Sequence, residues 1–225
     1  MTYRGILLDF YGTVVEEDDS VIQNIVRKIA ADHPDYPEHE LARLWGQEFA
    51  TLLSNSHGDR FRTQRELAVA SLAVVLEQVG SALDPAALAA DQFTYWKQPT
   101  LRPGAAEFIS SCPVPICIVS NIDRADLHAA IRHTGLSLPI AVTSEEARSY
   151  KPRSELFVSA LRLLDLGHDE VLHAGDSLSA DIAGANALSI GAVWVNTQGR
   201  TAPQGARIIR QITDLRDLLL TLEPA

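Results

Sequence analysis

The stretch that decides the fold stands near the start of the chain: Gly5-Ile6-Leu7-Leu8-Asp9-Phe10-Tyr11-Gly12-Thr13. Its unbroken apolar run, residues 6–8, is typical of a strand buried on both faces of a parallel sheet. Asp9 follows at the carboxyl end of that strand, where open α/β sheets place their ligands, and Gly12 permits a tight turn beside it. Taken alone, the stretch fits equally well a ligand site or a strand that simply ends in an aspartate and a turn.

The length and composition of the chain indicate a globular protein. Its 225 residues are 46% hydrophobic and 21% charged, which predicts one large domain and a smaller appendage. The formal net charge of -10 disfavours nucleic acid and anionic membranes as partners, because both attract basic surfaces. No apolar stretch approaches the roughly 20 residues of a membrane span, and the chain enters its first predicted strand without a signal peptide. We therefore expect a cytoplasmic protein that binds neither nucleic acid nor a membrane.

The segment of residues 16–97 has the pattern of helices throughout. Apolar side chains recur at helical spacing in four stretches that polar or proline-containing breaks separate. Thr63 and Glu66 form a capping-box pattern before the third stretch, and Asp84 with Pro85 gives the fourth an N-cap and a first-turn proline. We expect these helices to form an all-α cap domain.

Strands and helices alternate in the rest of the chain. Four further strands are predicted at residues 114–119, 140–143, 171–174 and 192–195. Helices are predicted at residues 126–134, 154–164, 178–188 and 214–222. This alternation indicates an α/β fold with a Rossmann-like parallel sheet flanked by helices. The first strand joins that sheet only if the helical segment is an insertion, so we predict a core domain of residues 1–15 and 98–225 and a cap domain of residues 16–97.

Polar side chains follow several predicted strands at their carboxyl ends. They are Asp9, Ser120, Asn121 and Asp176. Lys151 lies just before a predicted helix, and Asp181 lies near the start of another. Since the carboxyl ends of parallel strands share one edge of a sheet, we expect these groups to meet there. Carboxylates that share a site repel each other unless a cation lies between them, and Mg²⁺ prefers such oxygen ligands.

In four places the sequence resembles the motifs of the haloacid dehalogenase (HAD) superfamily of hydrolases. The resemblance covers nearly the whole chain, in matching order and spacing. The segments that carry it are residues 9–13, Ser120-Asn121, Lys151-Pro152, and Gly175-Asp176 through Asp181. The helical segment resembles the cap that the superfamily inserts after its first motif. The resemblance implies a HAD-like core, a covalent aspartyl intermediate and Mg²⁺ as the cofactor.

The resemblance also implies roles for individual residues. Asp9 is expected to be the nucleophile, with Lys151 as a second catalytic residue. The residues expected at the substrate are Tyr11, Thr13, Ser120 and Asn121. The residues expected around the metal are Asp9, Tyr11, Asp176 and Asp181. An aspartate with the ordinary pKa of about 3.9 is ionised at neutral pH and attacks without a base.

Tyr11 departs from the pattern of the superfamily's phosphatases, which usually have a second aspartate there as general acid and base. Dehalogenases of the superfamily have tyrosine at this position. A halide leaves without a proton, whereas an alkoxide that leaves from phosphate loses help worth roughly 10²–10⁴ in rate. Tyr11 therefore favours dehalogenation, unless it is a packing residue at the mouth of the site or a weak phenolic donor.

Asp176 favours the opposite interpretation, because the superfamily's dehalogenases need no metal and generally lack an acid there. They also hold the substrate carboxylate with a cap arginine. Arg43, Arg60 and Arg62 are candidates here, although charged residues on cap helices are commonly solvated. We therefore expect a Mg²⁺-dependent phosphatase of a small, anionic, phosphorylated metabolite. A 2-haloacid dehalogenase and a weakly active metal-binding protein are the alternatives.

Two further residues beside the predicted site are interpreted as structural. His173 lies within a predicted strand, where a neutral core histidine is more common than a catalytic base. Ser177 precedes a predicted helix, where a serine commonly caps the first turn.

Overall fold

The computed structural model describes residues 3–138 and 140–222, which include a six-stranded parallel sheet. The strands are β1 (Gly5–Leu8), β2 (Ile116–Ser120), β3 (Ala141–Thr143), β4 (Val171–Gly175), β5 (Gly191–Val195) and β6 (Arg210–Ile212). They lie in the order β3-β2-β1-β4-β5-β6, with every neighbouring pair parallel. The predicted parallel sheet is confirmed, and β1 lies in its interior between β2 and β4.

Between β1 and β2, the chain first forms four helices that we call the helical insert. They are α1 (Asp19–Asp32), α2 (Glu38–Asn55), α3 (Gln64–Val79) and α4 (Pro85–Lys97). Thr63 and Glu66 form a capping box at the start of α3, and the side chain of Asp84 accepts a hydrogen bond from the backbone of Ala86 at the start of α4. The insert has an apolar core of its own, which includes Ile25, Leu41, Trp45, Leu72, Val75 and Leu88.

Helices also cover both faces of the sheet. They are α5 (Ala105–Ser111), α6 (Arg124–Thr134), α7 (Ser144–Ala147), α8 (Ser154–Leu164), α9 (Ala183–Ala187) and α10 (Leu219–Leu222). Ile6 and Leu8 pack in a core with α5, α6 and α10, whereas Leu7 packs on the other face with α8 and α9. Ile6, Leu7 and Leu8 are fully buried, as the apolar run predicts.

No helix within the described ranges is long and apolar enough to cross a membrane.

Several short elements differ from the sequence-based prediction. Three elements are not predicted from the sequence. They are α5 with seven residues, α7 with four and β6 with three. Elements this short contain too few repeats for their periodicity to stand out. The helix predicted at residues 178–188 begins as a π-helical turn, Leu178–Ile182, before α9. The helix predicted at residues 214–222 begins as a 3-10 turn, Leu215–Leu218, before α10.

The start of α3 is attached to the region that follows β2. Asp123 accepts hydrogen bonds from the backbone N–H groups of Gln64 (2.7 Å) and Arg65 (3.1 Å). A carboxylate at a helix N-terminus is favourable because it satisfies free N–H groups and opposes the helix dipole. Arg65 also makes two hydrogen bonds to the buried Asp126 in α6, at 2.7 and 2.5 Å. These contacts hold the helical insert beside the carboxyl edge of the sheet.

Candidate active site

Lys151 lies at the centre of a buried charge cluster at the carboxyl edge of the sheet. Its Nζ donates hydrogen bonds to Oδ1 of Asp9 and Oδ1 of Asp181, each at 2.6 Å. Asp9 follows β1 and Asp181 lies in the turn after β4, so the pairing of these strands brings the two carboxylates together. Lys151 is only 3% exposed. Three side chains that the sequence analysis assigns to the site are thus in direct contact.

These charges shift the pKa values of their neighbours. Burial would lower the pKa of Lys151, but Asp181 and Asp9 raise it on balance. Burial would raise the pKa of Asp181, but Lys151 and His173 lower it on balance. Burial raises the pKa of Asp9, and Lys151 offsets only part of that increase. Asp181 has His173 as a further partner, so its ionised form is stabilised more fully than that of Asp9.

Asn121 fixes the backbone of Lys151. Its Oδ1 accepts a hydrogen bond from the Lys151 backbone N–H at 2.7 Å, and its Nδ2 donates to the Lys151 carbonyl at 3.2 Å. Ser120 is 1% exposed, and both residues line the main cavity. The second predicted motif therefore reaches the site and positions the third. Substrate contacts by Ser120 and Asn121 stay predictions.

Asp176 and Glu17 add two carboxylates to the cluster. One carboxylate oxygen from each of Asp9, Asp176 and Asp181 lies within 4.8 Å of the others. Gly12, with a φ of +83°, makes room for this arrangement. A Cβ at Gly12 would lie 2.5 Å from Oε1 of Glu17 and 2.7 Å from Oδ1 of Asp176. The glycine therefore lets two acidic side chains approach the same backbone turn.

Ionisation of every carboxyl group would leave the cluster with more negative than positive charge. Burial raises the pKa of Glu17 to about 9 and that of Asp176 to about 7, and neighbouring carboxylates add to both shifts. Lys151 is the one cationic side chain among the described residues that line the main cavity. A divalent cation would offset the excess negative charge, and carboxylate oxygens are the ligands that Mg²⁺ prefers. The residues present therefore fit a magnesium ion.

Tyr11 contacts the helical insert. Its hydroxyl donates a hydrogen bond to the backbone carbonyl of Trp96 in α4, and its ring packs edge-on against Phe10 with ring centroids 5.2 Å apart. Burial raises the pKa of Tyr11, so the phenol stays neutral. These contacts support the interpretation of Tyr11 as a packing residue at the mouth of the site. Contacts between Tyr11 and a substrate or metal stay predictions.

Thr13 is not among the residues that line the main cavity. It is fully buried, and its Oγ1 has no hydrogen-bond partner among the described residues. Thr13 lines a separate cavity of about 220 Å³ together with Arg102 and Thr197. The main cavity therefore gives no support to a contact between Thr13 and the substrate, and this contact stays a prediction.

His173 and Ser177 hold Asp181 in place. The His173 side chain is fully buried in β4, with Nε2 3.0 Å from Oδ1 of Asp181. The backbone N–H of Ser177 donates to Oδ2 of the same carboxylate at 3.0 Å, and the Ser177 hydroxyl caps the following turn at Ala180. Asp181 thus has hydrogen-bond partners on both of its oxygens.

Sequence reasoning misses three charged residues near the site. Glu17 and Asp18 line the main cavity, and the Asp18 carboxylate accepts a hydrogen bond from Gln92 at 2.7 Å. Arg200 donates to the backbone carbonyl of Asp176 at 2.8 Å and lies 3.6 Å from its carboxylate. Two signals in the sequence could have identified these residues. Glu17 and Asp18 belong to an acidic run after the first motif, and Arg200 follows β5.

The three arginines considered for a substrate carboxylate do not line the main cavity. Arg43 donates to Gln47 on the exposed side of α2. Arg62 donates to a backbone carbonyl in α3, and Arg60 is exposed in a short 3-10 turn. The structure therefore offers no counterpart among them for the cap arginine of the dehalogenases.

The main cavity lies between the carboxyl edge of the sheet and the helical insert, and its volume is about 350 Å³. The sheet edge contributes the charged and polar groups described above. The helical insert contributes Gln64 and Gln92 together with apolar and small side chains, which are Ile22, Ala42, Trp45, Phe49, Leu53 and Trp96. This volume is within the range of sites for small molecules.

The sequence of residues 3–188 matches the haloacid dehalogenase-like hydrolases, and the chain belongs to this family. The match includes all four motifs, from Asp9 to Asp181, so the predicted membership of the HAD superfamily is confirmed. The protein is therefore a hydrolase.

Part of the chain is similar in sequence to a phosphatase. Over 101 residues the chain is 35% identical to ribulose-1,5-bisphosphate 5-phosphatase of Halopiger xanaduensis, a match over 43% of this chain and 42% of that protein. The chain thus matches less than half the length of that relative.

Similar solved structures include L-2-haloacid dehalogenase of Xanthobacter autotrophicus with chloropropionic acid covalently bound. That similarity has a TM-score of 0.78 and 18% identity over 99% of this chain and 100% of the other. Another is the HAD-hydrolase YfnB of Bacillus subtilis bound to magnesium, with a TM-score of 0.75 and 21% identity over 100% of both chains. These structures confirm the fold.

Proposed function

We propose that this hydrolase is a Mg²⁺-dependent phosphatase of a small phosphorylated metabolite, with Asp9 as its nucleophile. The observation that carries the proposal is the cluster of Asp9, Asp176 and Asp181, in which one carboxylate oxygen of each residue lies within 4.8 Å of the others. Three carboxylates with one buried lysine leave negative charge that a divalent cation would offset. Phosphoryl transfer uses such a cation, whereas displacement of a halide from carbon gains little from it.

In the proposed reaction, a carboxylate oxygen of Asp9 attacks the phosphorus, and the bond from phosphorus to the leaving oxygen breaks. Lys151 keeps the Asp9 carboxylate oriented and offsets charge on the phosphoryl group. Water then attacks the phosphorus of the aspartyl phosphate, which releases inorganic phosphate and regenerates Asp9. Mg²⁺ bound by Asp9, Asp176, Asp181 and the backbone at Tyr11 would supply further charge neutralisation.

We further propose that residues 16–97 act as a cap domain over a core of residues 1–15 and 98–225. The apolar lining from α1, α2 and α4 supports this role, because it removes water from the space above the charged cluster. The Tyr11 hydrogen bond to Trp96 and the Asp123 contacts with α3 link the two parts beside the cavity. Caps of this kind favour small substrates over proteins.

A 2-haloacid dehalogenase is the second candidate, and Tyr11 is the observation that favours it. A hydroxyl committed to Trp96 is no proton donor for a leaving alkoxide, and a leaving halide needs none. The absence of an arginine among the described residues that line the cavity weighs against a substrate carboxylate.

The proposal is tested by phosphate release from an aryl phosphate, first with Mg²⁺ and then with excess chelator. We expect release that needs Mg²⁺ and that Asp9→Asn abolishes. Halide release from short 2-haloacids that is insensitive to chelator would instead identify a dehalogenase. A protein that binds Mg²⁺ and releases neither product would be the weakly active metal-binding protein.

A further inference from the structure

The titratable side chains that line the main cavity are almost all acidic. Five acidic residues line it, and they are Asp9, Glu17, Asp18, Asp176 and Asp181. Lys151 is the one cationic residue among its described lining, and both of its closest contacts are carboxylates of this set. Mg²⁺ and Lys151 together would serve the reacting phosphoryl group. No cationic side chain of the described lining remains for a second anionic group on the substrate.

The helical insert provides apolar walls for the cavity. Trp45, Phe49 and Leu53 on α2 form these walls together with Trp96 on α4. The indole N–H of Trp45 donates to Ser71, and that of Trp96 donates to Asp18, so both polar groups already have partners. These rings therefore offer apolar surface to a ligand.

We propose that the substrates are phosphate monoesters whose leaving group is uncharged and has an apolar face. This inference rests on the proposed phosphatase function. A second phosphate or a carboxylate on the leaving group would lie beside acidic and apolar side chains, without a further cationic side chain of the described lining to pair with it. The proposal therefore excludes sugar bisphosphates and phosphorylated carboxylic acids as good substrates.

The test compares 4-carbamoylphenyl phosphate with 4-carboxyphenyl phosphate, with phenyl phosphate as the reference. The first two have nearly the same shape and differ in charge, and all three release a phenolate that needs no general acid. We expect kcat/KM for the carboxylate to be lower than for the amide by about tenfold or more, mainly through a higher KM. The amide is uncharged, so it should be hydrolysed about as efficiently as phenyl phosphate.

A second test introduces a cationic side chain into the apolar wall of the cavity. Phe49 is half-buried on α2, and we expect Phe49→Arg to raise the ratio of kcat/KM for the carboxylate over that for the amide. Phe49→Gln is the neutral control, and it should leave this ratio near its wild-type value. Hydrolysis of the carboxylate as efficient as that of the amide by the wild-type enzyme would overturn the inference alone. Failure to release phosphate from all three compounds would overturn the proposed function and the inference with it.

Discussion

Lys151 donates a 2.6 Å hydrogen bond to Asp9 although the two residues are 142 positions apart in the chain. The same ammonium group donates to Asp181, so one cation lies between two buried carboxylates. This arrangement ties the end of β1 to the loop before α8 and the turn after β4. It also provides the nucleophile's immediate environment in the proposed reaction.

Lys151→Met should therefore both inactivate and destabilise the protein. Removal of one partner from a buried ion pair costs about 3–5 kcal/mol, because the remaining charge has no compensation. Urea denaturation would measure the change in the free energy of unfolding, and phosphate release would measure the loss of activity. Lys28→Met is the matched control, since Lys28 pairs with Asp91 on the exposed surface and should contribute about 1 kcal/mol or less. A Lys151→Met variant as stable as this control would contradict the description of the cluster.

Gly12→Ala should weaken the binding of Mg²⁺. The added Cβ would lie 2.5 Å from Glu17 and 2.7 Å from Asp176, so at least one of these carboxylates must move. We expect about a tenfold loss of Mg²⁺ affinity, measured by calorimetric titration. Gly58→Ala is the control, because Gly58 also has a positive φ of +57°, but a Cβ added there would have no described atom within 4 Å. An equal effect of both variants would assign the loss to backbone strain instead.

The stability of the protein in excess chelator should fall as the pH rises from about 5 to 9. Burial raises the pKa of Glu17 from 4.5 to about 9, so the folded chain keeps a proton that the unfolded chain has already released over this range. The free energy of unfolding then decreases with pH, which denaturation at several pH values would measure. Burial also raises the pKa of Asp176 to about 7, which adds to the decrease at lower pH. Glu17→Gln should therefore reduce the decrease mainly between pH 7 and 9, whereas Glu77→Gln, at an exposed position on α3, should leave it unchanged. A stability that rises over the same range would show that Glu17 is not buried as a neutral acid.

Tyr11 should make the enzyme selective for leaving groups that need no proton. Because its hydroxyl donates to Trp96, we expect aryl phosphates to be hydrolysed far faster than alkyl phosphates. Tyr11→Asp should raise the rate on alkyl phosphates relative to aryl phosphates by about tenfold or more. Tyr11→Phe, which removes the hydroxyl alone, should leave the ratio unchanged. Equal wild-type rates on both classes would show that another group, such as Glu17, protonates the leaving oxygen.

The parts of the fold that the sequence predicts are those with local signals. The apolar run at Ile6–Leu8 identifies β1 because a doubly buried strand excludes polar residues, and the Thr63 capping box identifies the start of α3. β6 has no such signal, since it buries only Ile212 in three residues. The π-helical turn after β4 is likewise invisible in a helical pattern, although it carries Asp181.

In the candidate site, too, some residues have a local sequence signal and others do not. Asp9, Lys151, Asp176 and Asp181 follow strand ends or begin helices, and the sheet topology brings them together. Glu17 and Arg200 reach the site only through tertiary structure. Glu17 belongs to an acidic run that resembles a solvated surface segment, and the positive φ of Gly12 brings it beside Asp176. Arg200 lies in a loop whose path no periodicity predicts.

The central claim is that Asp9 forms a covalent phosphoryl intermediate in the presence of Mg²⁺. It is tested most directly by acid quench of the enzyme during turnover of an aryl phosphate, followed by mass spectrometry of its peptides. We predict phosphorylation of the peptide that contains Asp9 in the wild-type enzyme with Mg²⁺, and none with chelator or in Asp9→Asn. Undiminished phosphate release by Asp9→Asn, or a phosphoryl group on another residue, would contradict the claim.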